Sequence, residues 1–151
     1  MSGLLELPAP YASYLILIMR VWIGANLMIH GYPKLKSILY EKADAKGYNI
    51  EGSKKIAQSM GAPAVSAYLV TLLEFFGGIF LVIGLIVPLV GFLFAVEFGA
   101  ISAAKKFKLN GRYIGGQLPN RYEINVLYLI FSIEFLVLGA GPFSIDALLG
   151  L

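Results

Sequence analysis

Four ionisable side chains interrupt otherwise apolar stretches: Arg20 in ILIMRVWIGANLMIHGYPK, Glu74 in TLLEFFGG, Glu97 in FAVEFGA and Glu134 in FSIEFLVL. At the centre of a membrane helix such a group costs about 2.5–3.5 kcal/mol on insertion scales, so the four are expected to face inward and meet. Arginine keeps its proton, whereas a carboxyl in a dry site can hold one, which gives an expected resting state of one ion pair and two neutral acids. Arg20 with Glu74 could simply lock helices together. Three acids for one arginine exceed what locking needs, because each extra carboxyl has a burial cost. A surplus of protonatable groups at one depth suits a proton relay or a site gripping the polar head of a quinone. Arg20, Glu74, Glu97 and Glu134 are therefore the candidate chemical residues.

A second group, Asn26, His30 and Lys34, is spaced one turn apart along the end of the first apolar run. An amide, an imidazole and an ammonium at a membrane edge could hold a quinone carbonyl or a lipid phosphate. The alternative is a snorkelling lysine beside a histidine that caps the helix end. Alignment of the three needs the helix to continue past Gly31 and Pro33, and proline argues against that.

The elements that must position these residues are helices. Of the 151 residues, 58% are hydrophobic and 14% charged, and the mean hydropathy is +0.78, outside the range of an ordinary soluble domain. Four segments of about 20 residues, roughly 11–31, 63–84, 85–104 and 124–141, match the thickness of a hydrocarbon core. None shows the alternation of barrel strands, so the expected fold is all-α, an integral membrane bundle of four transmembrane helices in a single domain. Gly84 to Pro88 reads as a tight turn between the second and third. Counting about 1.5 Å per residue from the segment ends places Arg20 some 12–14 Å deep and the glutamates some 15–17 Å, one shared depth. Trp22 lies too deep for an interfacial belt and is expected to pack against a neighbour.

Every lysine and arginine except Arg20 falls between segments one and two or three and four. The positive-inside rule then puts loops 32–62 and 105–123 in the cytoplasm of a plasma-membrane protein, with both termini outside. The first loop carries a mixed-charge stretch, Glu41 to Lys46, and then SKKIAQSM, where Ile56, Met60 and the stems of Lys54 and Lys55 could form a short interfacial helix; a solvated connector is the alternative. The second, KKFKLNGRYIGGQLPNRYE, suits contact with anionic lipid. No basic n-region precedes the first apolar run, so a signal peptide is not expected. Nucleic acid is not an expected partner, because the net charge of +3 flanks apolar segments without forming a patch. With no cysteine and one histidine, disulfides, cysteine-ligated clusters and bis-histidine haem ligation by this chain alone are excluded, and no haem, iron–sulfur or metal site is expected within it.

Arg20, Gly24, His30-Gly31 and Lys34, then GAPAVSAYLVTLLEFFGG, Gly84-Leu85, and Gly139-Ala140-Gly141-Pro142-Phe143-Ser144-Ile145-Asp146, together resemble the DoxX family of small membrane proteins, grouped with DoxD. The resemblance spans about 14–147. It implies a four-helix membrane bundle and relatives that are subunits of terminal quinol oxidases or thiosulfate:quinone oxidoreductases. Arg20, His30, Lys34, Glu74, Glu123 and Asp146 match the family's recurring polar residues. Two features depart from the pattern: Glu97 stands where an apolar residue or methionine is usual, and the first loop is longer.

The expected function is a membrane subunit of a respiratory or sulfur-oxidising, quinone-linked redox complex, embedded in the bilayer beside other redox subunits, with quinone as the cofactor and a homo-oligomer left open. Any further redox centre belongs to a partner, since the chain has no cofactor motif of its own. The alternative is a structural or assembly anchor without chemistry. A small transporter is weaker, because four helices give little room for alternating access and no inverted repeat is visible.

Overall fold

A computed structural model of the protein describes residues 9–40, 49–115 and 120–151. The mixed-charge stretch 41–46 and part of the second basic loop, 116–119, lie outside the described residues. The elements are α1 Ala9–Tyr40, α2 Ile50–Ser59, α3 Ser66–Ile83, α4 Val87–Phe107, α5 Glu123–Leu138 and α6 Ile145–Leu149. Among the described residues there is no strand.

Helices α1, α3 and α4 are long and apolar enough to cross a membrane. Helix α5 has 16 residues, about 24 Å, and ends before the expected 141 because Gly139 takes φ +72 and Gly141 φ +70. The polarity is that of a lipid-solvated bundle. Ile29, Leu69, Val96, Ile130 and Val137 face outward, while Arg20, Thr71, Glu74, Glu97, Ser102 and Ser132 are buried. Trp22 is 69% exposed, so it faces lipid and does not pack into the bundle as expected.

Two helix pairs make up the bundle. α1 lies against α3 where Gly24 and Gly78 meet: a Cβ on either would sit 2.7 Å from the other's carbonyl oxygen. Such close approach lets backbones replace the hydrophobic driving force that lipid removes. α4 lies along α5. Ile23, Leu27, Leu81, Val90, Phe94 and Phe135 join the pairs, and Phe94, Phe98 and Tyr128 stack in sequence.

The first helix departs most from expectation. It runs through Gly31 and Pro33 to Tyr40, 32 residues in all. Pro33 deprives one carbonyl of its donor, but the turn beyond is anchored: Ser37 Oγ donates to Lys34 O at 2.7 Å and accepts from Ile50 N at 2.8 Å. That bond also seats α2, capped by Asn49, whose side chain accepts from Gly52 N at 2.8 Å. α2 overlaps the short helix expected from SKKIAQSM, and Ile56 on it is exposed.

Candidate functional site

The sequence-level site residues separate into two ends of the bundle. Arg20 and Lys34 lie 14 residues apart on one continuous helix, about 21 Å, so the single shared depth is not what the structure has.

At the end bearing the α3–α4 turn, Arg20 is 1% exposed. Its Nη2 donates to Phe143 O at 2.5 Å, and Asp146 lies within electrostatic reach. Asp146 accepts from Ile86 N at 2.6 Å and Val87 N at 2.9 Å, while its own N–H donates to Gly84 O at 2.9 Å. A carboxylate from the last helix thus caps α4, where the N-terminal dipole favours negative charge. It also holds Ile86 at φ +48, a conformation a β-branched residue otherwise avoids. Gly84, at φ +73, lies under the Arg20 guanidinium, and a Cβ there would collide with it. Arg20 therefore meets a carbonyl and an aspartate, not the three glutamates expected, because α1 enters the bundle beside the turn. This end is a latch between the turn and the C-terminal segment.

Glu134 does not join any cluster. It is half-exposed on α5, four residues from the helix end at Leu138, and so lies about 6 Å from that end.

At the opposite, basic end, Lys34 Nζ pairs with Glu74 Oε2, with side-chain exposures of 16% and 11%. Glu74 lies in Leu73–Gly77, a π-helical stretch within α3, a local widening often found at functional sites. Glu97 of α4 is 8% exposed, and neither carboxyl oxygen has a hydrogen-bond partner. It lies within electrostatic reach of Glu74 and Lys34. Tyr128 of α5, stacked on Phe98, is within reach of Glu74. All four long helices thus contribute to one polar cluster, which the structure builds from Lys34, Glu74, Glu97 and Tyr128. The sequence reading missed Tyr128; its position five residues beyond Glu123 on an inward face was the available signal.

The expected trio of Asn26, His30 and Lys34 divides. Lys34 turns inward to Glu74, His30 is exposed, and Asn26 Nδ2 donates to Trp22 O at 2.9 Å. Advancing about 40° per four residues moves each side chain around the helix, so only the last reaches the interior. Nearby, Lys105 donates to Arg121 O at 3.0 Å and Asn125 Oδ1 at 2.9 Å, and Arg121 pairs with Glu123, fixing the end of the second basic loop. Among the described residues no group of three or more His, Cys, Asp or Glu could hold a metal ion.

A groove of about 520 Å³ opens at the latch end, lined by Ile86, Leu89, Leu138, Ala140, Ser144 and Asp146 among others. Its polar groups are already engaged: Ser144 Oγ donates to Gly141 O and accepts from Ala147 N, and Asp146 caps α4. The unengaged acid belongs to the basic end.

The DoxX family model matches residues 15–104, which contain both Arg20 and the Lys34–Glu74–Glu97 cluster. The chain belongs to the DoxX family. It is a multi-pass membrane protein, all-helical, as that membership and its apolar helices require. A second family model, described as TQO small subunit DoxD, matches residues 60–150. The DoxX chain is also 28% identical over 130 residues to "Putative oxidoreductase CatD" of Bacillus subtilis (strain 168), covering 86% of this chain and 83% of that protein. No solved structure matches.

Proposed function

We propose that this DoxX protein is the membrane subunit of a quinone-linked redox complex, and that the Lys34–Glu74–Glu97 cluster is where it meets the quinone headgroup. The family matches and the oxidoreductase named among its relatives support a redox-related complex. The observation that carries the site is Glu97, buried with both oxygens unpartnered beside a charged pair. Buried polar groups are as a rule hydrogen-bonded, so an unengaged acid inside a bundle marks a place built for something else. A quinone fits the donors present, since its carbonyl oxygens accept hydrogen bonds and its apolar ring and tail arrive through lipid. Lys34, and Glu97 when protonated, are the donors that would hold it. The quinone supplies the electron chemistry; the chain supplies orientation and exclusion of water.

In this reading the basic loops face the cytoplasm of the plasma membrane, both termini lie outside, and the electron-transferring centres reside in partner subunits. The anchor alternative survives for one end, because Asp146 and Nη2 of Arg20 make the bonds of a scaffold, while Nε and Nη1 of Arg20 are buried without a hydrogen-bond partner. Purification from native membranes, with mass spectrometry of co-purifying chains and extraction of bound quinone, tests the proposal. Redox subunits and stoichiometric quinone are expected, with quinone lost in Glu74→Gln while assembly persists. Partners without quinone would leave the anchor as the better account.

A further inference from the structure

The Lys34–Glu74 pair and Glu97 form a three-group cluster whose charges do not cancel if all three are ionised: one cation faces two carboxylates. Lys34 is committed to Glu74. Glu97 then has no hydrogen bond to offset the loss of water, and its nearest charges oppose each other. The charged groups within electrostatic reach of it are Lys34 from α1 and Glu74 from α3, with Tyr128 of α5 in turn within reach of Glu74, and only Lys34 is cationic. An uncompensated carboxylate in such a place is strongly disfavoured, and taking up a proton removes that cost.

We infer that Glu97 is a neutral carboxylic acid in the resting protein and donates its hydrogen bond to an oxygen of an uncharged, carbonyl-bearing ligand held beside Lys34. The inference deepens the quinone reading and rests on it for the ligand, but not for the proton. With Glu97 protonated, the cluster carries +1 from Lys34, −1 from Glu74 and no net charge, so an uncharged headgroup enters without creating a new buried charge. The donor hydrogen remains on Glu97 while the bond is made; no covalent bond forms or breaks.

The side from which Glu97 exchanges its proton follows from a second unpartnered group. Ser102, also buried with a free Oγ, lies five residues along α4 toward Lys105, about 7.5 Å nearer the basic end. In the other direction, toward Val87, the buried residues of α4 are Phe94, Gly91 and Val90, with no polar side chain among them. On α4 the polar side chains therefore continue from Glu97 only toward the basic end, and that is the side from which the proton is inferred to enter.

The test is infrared difference spectroscopy of the full chain in liposomes at neutral pH, with decyl-benzoquinone as the probe ligand and its binding followed in parallel by titration. A protonated-carboxyl stretch is expected in the wild type, absent in Glu97→Gln, and moved to lower frequency when decyl-benzoquinone binds. Should Glu97→Gln fail to fold, Glu97→Asp is expected to displace the band. Glu97→Leu is expected to weaken decyl-benzoquinone binding about tenfold, the weight of one hydrogen bond, with Glu97→Gln nearer the wild type. Absence of the band, or its persistence unchanged in the Glu97 variants, overturns the neutral acid. Binding without a band shift overturns the donor role. A band present with no binding of the quinone overturns the quinone reading and the donor role together, and leaves the neutral acid standing.

Discussion

Replacing Asp146 tests whether the Arg20 end is a latch or a reactive site. In Asp146→Ala, the N–H groups of Ile86 and Val87 lose acceptors at 2.6 and 2.9 Å, and the buried Arg20 loses the carboxylate near it. Each orphaned buried donor costs about 1–3 kcal/mol, and removal of one partner from buried charges about 3–5 kcal/mol; since these overlap, the expected loss is about 3–5 kcal/mol. Against the ~10 kcal/mol typical of a folded domain, that is about 30–50% of the total. Asp146→Asn keeps one carbonyl oxygen for one of the two donors and should lose about 1–3 kcal/mol. Unfolding by sodium dodecyl sulfate in mixed micelles, followed by circular dichroism and by the fluorescence of Trp22, the sole tryptophan, gives both values. Quinone affinity of the folded fraction should stay at the wild-type value, because Lys34 lies about 21 Å along α1 from Arg20. A loss below about 1 kcal/mol in Asp146→Ala, or a collapse of binding in protein that remains folded, would refute the latch.

Three further outcomes are expected. Gly24→Ala pushes against Gly78 O and should lose about 1–3 kcal/mol in the same unfolding assay, whereas Gly99→Ala, whose nearest neighbour is Leu129 at 3.8 Å, should be neutral or gain up to about 1 kcal/mol from helix propensity. Glu74→Gln strands the Lys34 ammonium and should cost about 3 kcal/mol, while the double change Lys34→Met with Glu74→Met should come within about 1 kcal/mol of the wild type and still fail to bind quinone in a titration. On α2, the hydrogen bond to Glu51, and then that to Tyr68, raises the pKa of Lys54. The raised value means any stability it lends is present at neutral pH and lost only as pH climbs through the Lys54 titration. Glu51→Gln should lower that titration in NMR spectra of the lysine side chains without a measurable change in stability, since the ammonium is exposed.

The helices were legible because the signals that define them are coarse and physical. Apolar runs of bilayer length and a glycine–proline turn allow few arrangements, and the helices follow them, although Lys34 and Lys36 lie on α1 and Lys105 and Lys106 on α4 instead of in loops. The grouping of charges was not legible, for a reason located at Pro33. Read as a stop, it ends α1 before Lys34, leaves that lysine at the surface, and makes Arg20 the only cation available to Glu74. Ser37 and Ile50 hold the turn after Pro33 in place, a contact between residues 13 apart that periodicity does not reveal. The resemblance to the DoxX family pointed to Asp146, but its role as a cap on a helix that starts 59 residues earlier needed coordinates. Glu97 was singled out at sequence level as an oddity within the family pattern, and its burial within reach of Lys34 and Glu74 gives that oddity a place.

Photolabelling the full chain in its native membrane with an azidoquinone, and mapping the labelled peptides by mass spectrometry, tests the central claim most directly. Label on the segments around Lys34, Glu74 and Glu97, diminished by Glu74→Gln and competed by unlabelled quinone, is the predicted result. Label concentrated on the groove between Ile86 and Asp146, or spread over the lipid-facing surface without competition, would contradict it.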